Sequence, residues 1–124
     1  MIVGAGGFVG SALRFVVSGS VQRLVGSGGF PYGTLTVNVI GCFLIGAVAT
    51  LAFRERMLFS SSVRNFLMVG LLGSFTTFST FGYETMALIR DGEMLRGLAN
   101  VAASVLVGLL SVALGMMAVR VLPI

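Results

Sequence analysis

The chain lacks histidine altogether, contains a single cysteine and has only four acidic residues among its 124. Without histidine, and with one thiol, the usual ligand sets of a structural or catalytic metal centre are missing, and no disulfide can form within the chain. The sequence also has no lysine. Few side chains therefore remain that could act as a general acid, a general base or a nucleophile. We expect that the protein is not an enzyme.

Charge is scarce as well, since 10% of the residues are charged and 56% are hydrophobic. Such a chain has too little polar surface to face water on all sides, which indicates residence among membrane lipid. The net charge of +4 comes from arginines that are scattered singly between apolar runs. Scattered arginines are typical of membrane-interface anchors, and a nucleic-acid-binding surface would need them clustered. We expect no nucleic-acid partner.

Four long apolar stretches, residues 2–24, 34–53, 63–89 and 94–122, follow one another along the chain. Each can cross roughly 30 Å of hydrocarbon as a helix that rises about 1.5 Å per residue. The connections between them are short and contain glycine, proline, serine or charged residues, which mark turns at the water boundary. The sequence predicts an all-α membrane protein with one four-helix transmembrane domain over residues 1–124.

The arginines near the ends of these stretches give little information on orientation. Four spans place both chain ends and the second connection on one side of the membrane. That side carries Arg54, Arg56, Arg64 and Arg120, and the other carries Arg23, Arg90 and Arg96. Because orientation follows the excess of arginine in short loops, four against three indicates a chain that can insert both ways.

Glycine is abundant, with 18 residues, and several are spaced for close helix contact, such as Gly6 with Gly10 and Gly108 with Gly115. Small residues let membrane helices approach closely, so we expect these positions to serve helix packing. Four helices enclose little interior. Some of the small faces are therefore expected to serve an oligomer.

Residues 70–82, G-L-L-G-S-F-T-T-F-S-T-F-G, are the part of the chain that an ordinary apolar helix does not explain. They combine five hydroxyl residues with three phenylalanines at a spacing of three, and glycine recurs at 70, 73 and 82. Hydrocarbon offers no hydrogen-bond partner, so a helix interrupted at membrane depth must be buried in protein or line a wet path. The pattern predicts a break in the third span and places the functional site there.

Two polar residues in the first two spans each allow two interpretations. Arg14 can extend its side chain to the interface, or it can place a positive charge in a water-filled vestibule that attracts anions. Asn38 can form a hydrogen bond that only joins two helices, or its NH2 group can donate to an anion in a pore.

The aromatic and polar residues of the third and fourth spans also allow two interpretations each. Phe78 and Phe81 can pack in the core or against lipid, or their positive ring edges can bind an anion. Asn100, Ser104 and Ser111 share one face of the fourth span, which can serve helix packing or line a path.

Three segments carry a resemblance to a known family: residues 6–15 (G-G-F-V-G-S-A-L-R-F), 33–46 (G-T-L-T-V-N-V-I-G-C-F-L-I-G) and 70–81. In these segments the chain resembles the Fluc (CrcB) family of fluoride channels. Together with the length and the number of spans, the similarity covers nearly the whole chain. The resemblance implies an antiparallel, dual-topology homodimer with two fluoride pathways along the subunit interface. It also implies a structural Na⁺ held at the break of the third helix by backbone carbonyls, here those of Gly73 and Thr76.

The resemblance assigns roles to seven further residues. Arg14 would supply the vestibule charge and Asn38 the pore amide. The fluoride path would be lined by Phe78 and Phe81, and by the polar residues Thr77, Ser104 and Asn100. The implied function is passive, fluoride-selective export of cytoplasmic fluoride across the bacterial inner membrane, which would protect the cell.

Two rival functions remain at this stage. A small proton-coupled multidrug exporter also has four spans and dual topology, but it needs a membrane-embedded acid. The first span has none, and Glu84 lies near a loop. A structural subunit of a larger membrane complex would explain the glycine faces, but it would leave Arg14 and Asn38 without a role.

Overall fold

The computed structural model describes residues 1–26, 29–54 and 59–123, which form helices and turns without any β-strand. Within these ranges, four stretches are long and apolar enough to cross a membrane: Ile2–Val25, Tyr32–Arg54, Ser61–Arg90 and Met94–Arg120. Each begins and ends within two residues of the span predicted from the sequence. The prediction of an all-α chain with four membrane-crossing segments is confirmed for this part of the chain. Arg56, which entered the orientation argument, lies outside the described residues.

The elements follow the chain in this order: α1 (Ile2–Val25), α2 (Tyr32–Arg54), α3 (Ser61–Arg64), a π-helical segment (Asn65–Leu72), α4 (Gly73–Phe75), α5 (Phe78–Arg90) and α6 (Met94–Arg120). The third stretch therefore consists of four helical pieces, whereas the other three are single helices. In a π-helix, each hydrogen bond reaches one residue further than in an α-helix.

Gln22 fixes the connection between α1 and α2. The α1 helix ends at Gly26, whose φ of 37° is a left-handed conformation that glycine adopts readily. The Gln22 side chain donates from Nε2 to the Phe30 carbonyl at 3.0 Å, and its Oε1 accepts from the Gly33 N–H, also at 3.0 Å. Both groups of one amide thus hold the start of α2 against the end of α1.

Glycines sit where helix backbones touch. A Cβ atom on Gly6 would lie 2.7 Å from the Phe66 carbonyl oxygen, and one on Gly70 would lie 2.6 Å from that of Val3. These contacts join α1 to the π-helical segment. Gly46 and Gly115 hold α2 against α6 in the same way, because each faces a backbone carbonyl of the other helix. The predicted packing role is confirmed for Gly6, Gly10 and Gly115, since larger residues would separate these backbones. A Cβ atom on Gly108 would meet only the Cys42 sulfur, at 3.6 Å.

Helices α2 and α6 form the most extensive contact between two elements of the described chain. They run in the same direction, because their C-terminal ends lie together. Arg54, the last residue of α2, donates from Nη1 to the Val119 carbonyl near the end of α6 at 2.7 Å. The same carbonyl also accepts from the Leu122 N–H at 3.1 Å, so the Arg54 side chain adds a second donor at the end of α6. Both helices line the cavity at which the predicted site residues meet.

Candidate ion pathway

Thr76 and Thr77 separate α4 from α5. Both have extended backbones, with φ −87° and ψ 158° at Thr76 and φ −152° and ψ 121° at Thr77. Thr77 caps α5, because its side-chain oxygen accepts a hydrogen bond from the Thr80 N–H at 3.3 Å. A threonine at this position supplies an acceptor to a helix start that has unsatisfied donors. The hydroxyl run of the sequence thus contains the start of a new helix.

Asn38 of α2 pairs with the backbone of Thr77. Its Nδ2 donates to the Thr77 carbonyl at 3.0 Å, and its Oδ1 accepts from the Thr77 N–H at 2.8 Å. Asn38 thereby makes the interhelical hydrogen bond that the sequence allowed. An amide nitrogen carries two hydrogens, so one donor remains for another partner.

The carbonyls of Gly73 and Thr76 accept no hydrogen bond within the part of the chain that the structure describes. The Thr77 N–H, which would bond to Gly73 in a continuous helix, goes to Asn38 instead. The Thr80 N–H, which would bond to Thr76, goes to the Thr77 hydroxyl. Two backbone oxygens, three residues apart in the chain, are therefore available as ligands for a hard cation.

A groove of about 300 Å³ lies in front of this segment, between α2, α4, α5 and α6. Seven of the nine residues predicted for the site line it: Asn38, Gly73, Thr76, Thr77, Phe78, Phe81 and Ser104. They are drawn from three of the four membrane-crossing stretches, and the groove brings them together. Its lining is mostly apolar, with single polar groups placed along it, as in many ligand sites.

Phe78 and Phe81 lie side by side on the first turn of α5. Their ring centroids are 5.4 Å apart and the ring planes are inclined by 51°. Phe78 is 81% exposed in the isolated chain, whereas Phe81 is half-buried. The edge of an aromatic ring carries the positive end of its quadrupole, so both rings can offer a weak positive pole to the groove that they line.

Arg14 lines a second cavity, of about 480 Å³, with Arg23 of the same helix. The cavity also contacts Thr77 and Thr80, so Thr77 belongs to both cavities. Arg14 is half-buried and makes no hydrogen bond or ion pair with another described residue. A cation without a partner in the protein remains available to attract an anion.

Ser104 and Asn100 behave differently, although they are one turn apart on α6. The Ser104 hydroxyl is buried without a hydrogen-bond partner and lines the groove. Asn100 is 1% exposed and donates from Nδ2 to the Thr85 hydroxyl at 2.9 Å, and Thr85 donates to the Phe81 carbonyl at 2.8 Å. The structure therefore places Asn100 between α5 and α6, away from the lining of the groove.

Cys42 is a lining residue that the sequence reasoning did not single out. It lies four residues after Asn38, which places both on the same face of α2. This spacing of four residues from Asn38 could have identified Cys42 as a lining residue from the sequence. Thr85 was also missed, because nothing in the sequence links it to Asn100.

A family model described as "CrcB-like protein, Camphor Resistance (CrcB)" matches residues 1–116. The chain belongs to the CrcB family. A relative from Geobacter metallireducens, "Fluoride-specific ion channel FluC", is 47% identical over 114 residues, which cover 92% of this chain and 90% of the relative. Proteins with the same name from Opitutus terrae and Clostridium perfringens are 47% and 40% identical, over 93% and 98% of this chain and 87% and 94% of their own length.

CrcB relatives thus carry the name of ion channels and not of enzymes. With four membrane-crossing stretches, this CrcB chain is a multi-pass membrane protein.

Proposed function

We propose that the chain forms a fluoride-selective channel, which passively exports cytoplasmic fluoride across the bacterial inner membrane. The observation that carries the proposal is the groove that collects Asn38, Phe78, Phe81 and Ser104 next to the cavity of Arg14. The names of the relatives support the choice of ion.

Fluoride is small and strongly hydrated, so a pathway must replace its water shell with several donors at once. The groove offers the second Nδ2 hydrogen of Asn38 and the hydroxyl of Ser104, which has no protein partner. The edges of Phe78 and Phe81 add weak positive poles without a full counter-charge. These groups stabilise the ion, yet they bind it weakly enough for it to leave again.

Arg14 acts at the entrance and not in the groove. Its guanidinium raises the local concentration of anions in the cavity that shares Thr77 with the groove. From that cavity, an anion passes Thr77, which lines both cavities, and reaches the Asn38 amide in the groove. Asn100 acts as a positioning residue, because through Thr85 it sets the place of α5, which carries both phenylalanines.

One subunit supplies half of each pathway. Phe78 is 81% exposed at the edge of an open groove, which a second copy can cover. An antiparallel homodimer built from this single domain pairs two such grooves and gives two pores of opposite polarity. The nearly even distribution of arginine is consistent with insertion in both orientations.

The interruption at Thr76 and Thr77 is, in this proposal, the mid-membrane break of the third helix, and it fits a structural Na⁺. The carbonyls of Gly73 and Thr76 lack donors among the described residues and would hold the ion with their counterparts from the second subunit. A bound Na⁺ supplies a fixed positive charge that joins the two chains. Oxygen ligands suit a hard cation of this kind.

Export needs no energy source beyond the membrane potential. A potential negative inside favours outward movement of an anion by about 2.3 kcal/mol per 100 mV. The proposal therefore requires neither a nucleotide site nor a proton-coupling acid.

Fluoride efflux from liposomes tests the proposal directly. Purified protein is reconstituted into vesicles loaded with potassium fluoride or potassium chloride, valinomycin is added, and the released anion is measured with an ion-selective electrode. We expect fluoride release with chloride retained. Equal release of both ions would exclude a fluoride-selective channel.

Phe78→Ile removes the aromatic ring edge and keeps an apolar side chain, so we expect fluoride release to fall while crosslinking still detects the dimer. Phe8→Ile is the matched control, because Phe8 is 78% exposed on α1 and lines neither cavity.

A further inference from the structure

A third cavity, of about 530 Å³, lies between the second halves of α2 and α6. Its walls are Ile45, Ala49 and Phe53 of α2 and Val112 and Met116 of α6, and its lining is predominantly apolar. The ion pathway described above uses none of these residues except Ile45, which lies at the boundary between the two. The cavity faces outward as an open groove on the apolar surface of the bundle.

Two arginines close the outer end of this groove. Arg54 is the last residue of α2 and Arg120 is the last residue of α6, and both contribute to the lining. Arg54 is held in place by its bonds from Nη1 to the Val119 carbonyl at 2.7 Å and from Nη2 to the Leu122 carbonyl at 3.5 Å, and each of these nitrogens carries a second hydrogen. Arg120 is exposed and makes no ion pair with any residue in the described ranges. The acids of known position, Glu84, Asp91 and Glu93, line a different cavity.

The length of the groove matches one membrane leaflet. Arg54 follows Ile45 by nine positions, which corresponds to about 14 Å along a helix. Half of a hydrocarbon core of roughly 30 Å is about 15 Å. A lipid whose chain lay along Ile45, Ala49 and Phe53 would therefore bring its phosphate to the height of the arginines.

We propose that this groove binds an anionic phospholipid, with an acyl chain between α2 and α6 and the phosphate on Arg54 and Arg120. Planar guanidinium groups bind phosphate through paired hydrogen bonds, and basic pockets between membrane helices are suited to anionic headgroups. The apolar walls exclude a small hydrated anion as the occupant, since they offer it few donors. A zwitterionic headgroup would bind less well, because its own cation lies beside the phosphate.

Thermal unfolding of the full chain in a nonionic detergent measures this preference. We expect phosphatidylglycerol to raise Tm by on the order of 4 °C more than the same amount of phosphatidylcholine. Glycerol 3-phosphate tests the headgroup without a chain, and we expect it to have no effect. An equal rise with both lipids, or a rise with glycerol 3-phosphate that matches phosphatidylglycerol, would overturn the proposal.

Two variants locate the effect. Arg120→Gln should abolish the difference between the lipids, and Ala49→Phe should do the same by filling the groove. Arg90→Gln is the matched control, because Arg90 also ends a helix but lines none of these cavities, so the difference should persist. A difference that survives in Arg120→Gln contradicts the site. The proposal is also contradicted if Arg120→Gln lowers fluoride release but keeps the difference between the lipids, since the arginine would then serve the ion pathway.

Discussion

The side-chain amide of Asn38 forms hydrogen bonds with both backbone groups of Thr77, 39 residues later in the chain. In a continuous helix, other backbone groups would make these bonds. The two hydrogen bonds of Asn38, at 2.8 and 3.0 Å, satisfy the N–H and the carbonyl of one extended residue. The pair links α2 to the start of α5 and leaves the Gly73 carbonyl without its usual donor. Asn38 therefore holds the interruption in place and still faces the groove.

Replacing Asn38 should affect stability and transport together. Asn38→Ala leaves the N–H and carbonyl of Thr77 without partners, which should lower the free energy of unfolding by about 1–3 kcal/mol. Fluoride flux should fall about tenfold or more, because a loss of about 1.4 kcal/mol corresponds to a factor of ten in rate. Thermal unfolding and liposome efflux measure the two effects. Asn65→Ala, at an exposed asparagine for which the structure gives no side-chain hydrogen bond, should change neither.

Ser104 allows function to be separated from stability. Its hydroxyl has no partner to lose, so Ser104→Ala should leave Tm within about 1 °C of the parent. If the hydroxyl donates to the passing ion, fluoride flux should fall about tenfold. Ser62→Ala, on the exposed face of α3, should leave both unchanged. Full flux in Ser104→Ala would show that this hydroxyl does not contact the ion.

Chemical labelling of the single cysteine tests whether the groove is open to water. Cys42 lines the groove, and the chain has no other thiol. A small thiosulfonate reagent should therefore reach Cys42 and block fluoride release by occupying the pathway. Cys42→Ala should show no inhibition when its treated and untreated fluxes are compared. Labelling of Cys42 without loss of flux would mean that the ion follows another route.

Gly10 should tolerate no side chain. A Cβ atom at this position would overlap the Leu71 carbonyl oxygen and lie 3.1 Å from the Phe75 nitrogen, both of them backbone atoms. Gly10→Ala should lower the free energy of unfolding by about 1–3 kcal/mol through overpacking. Gly4→Ala lies on the same helix with nothing within 4 Å of its Cβ and should cause no loss. Equal unfolding temperatures in detergent for the two variants would contradict this packing.

The spans were predictable from sequence because an apolar run of sufficient length is determined locally. The role of Asn38 was not, since its two interpretations depended on what lies opposite, and its partner Thr77 lies 39 residues away, between α4 and α5. Asn100 and Ser104 show the same limit. Their spacing of four placed them on one face of α6, but only the position of α5 decides that Asn100 is covered and Ser104 faces the groove.

The π-helical segment changes how the third membrane-crossing stretch should be read. Because its hydrogen bonds span one residue more than those of an α-helix, residues after Leu72 are out of phase with a helical wheel drawn from Ser61. One residue corresponds to about 100° of rotation. In a cysteine-accessibility or crosslinking scan along this stretch, the periodicity of the signal should therefore shift within residues 65–72. Helix faces that are assigned with a constant period of 3.6 residues will be wrong on one side of that shift.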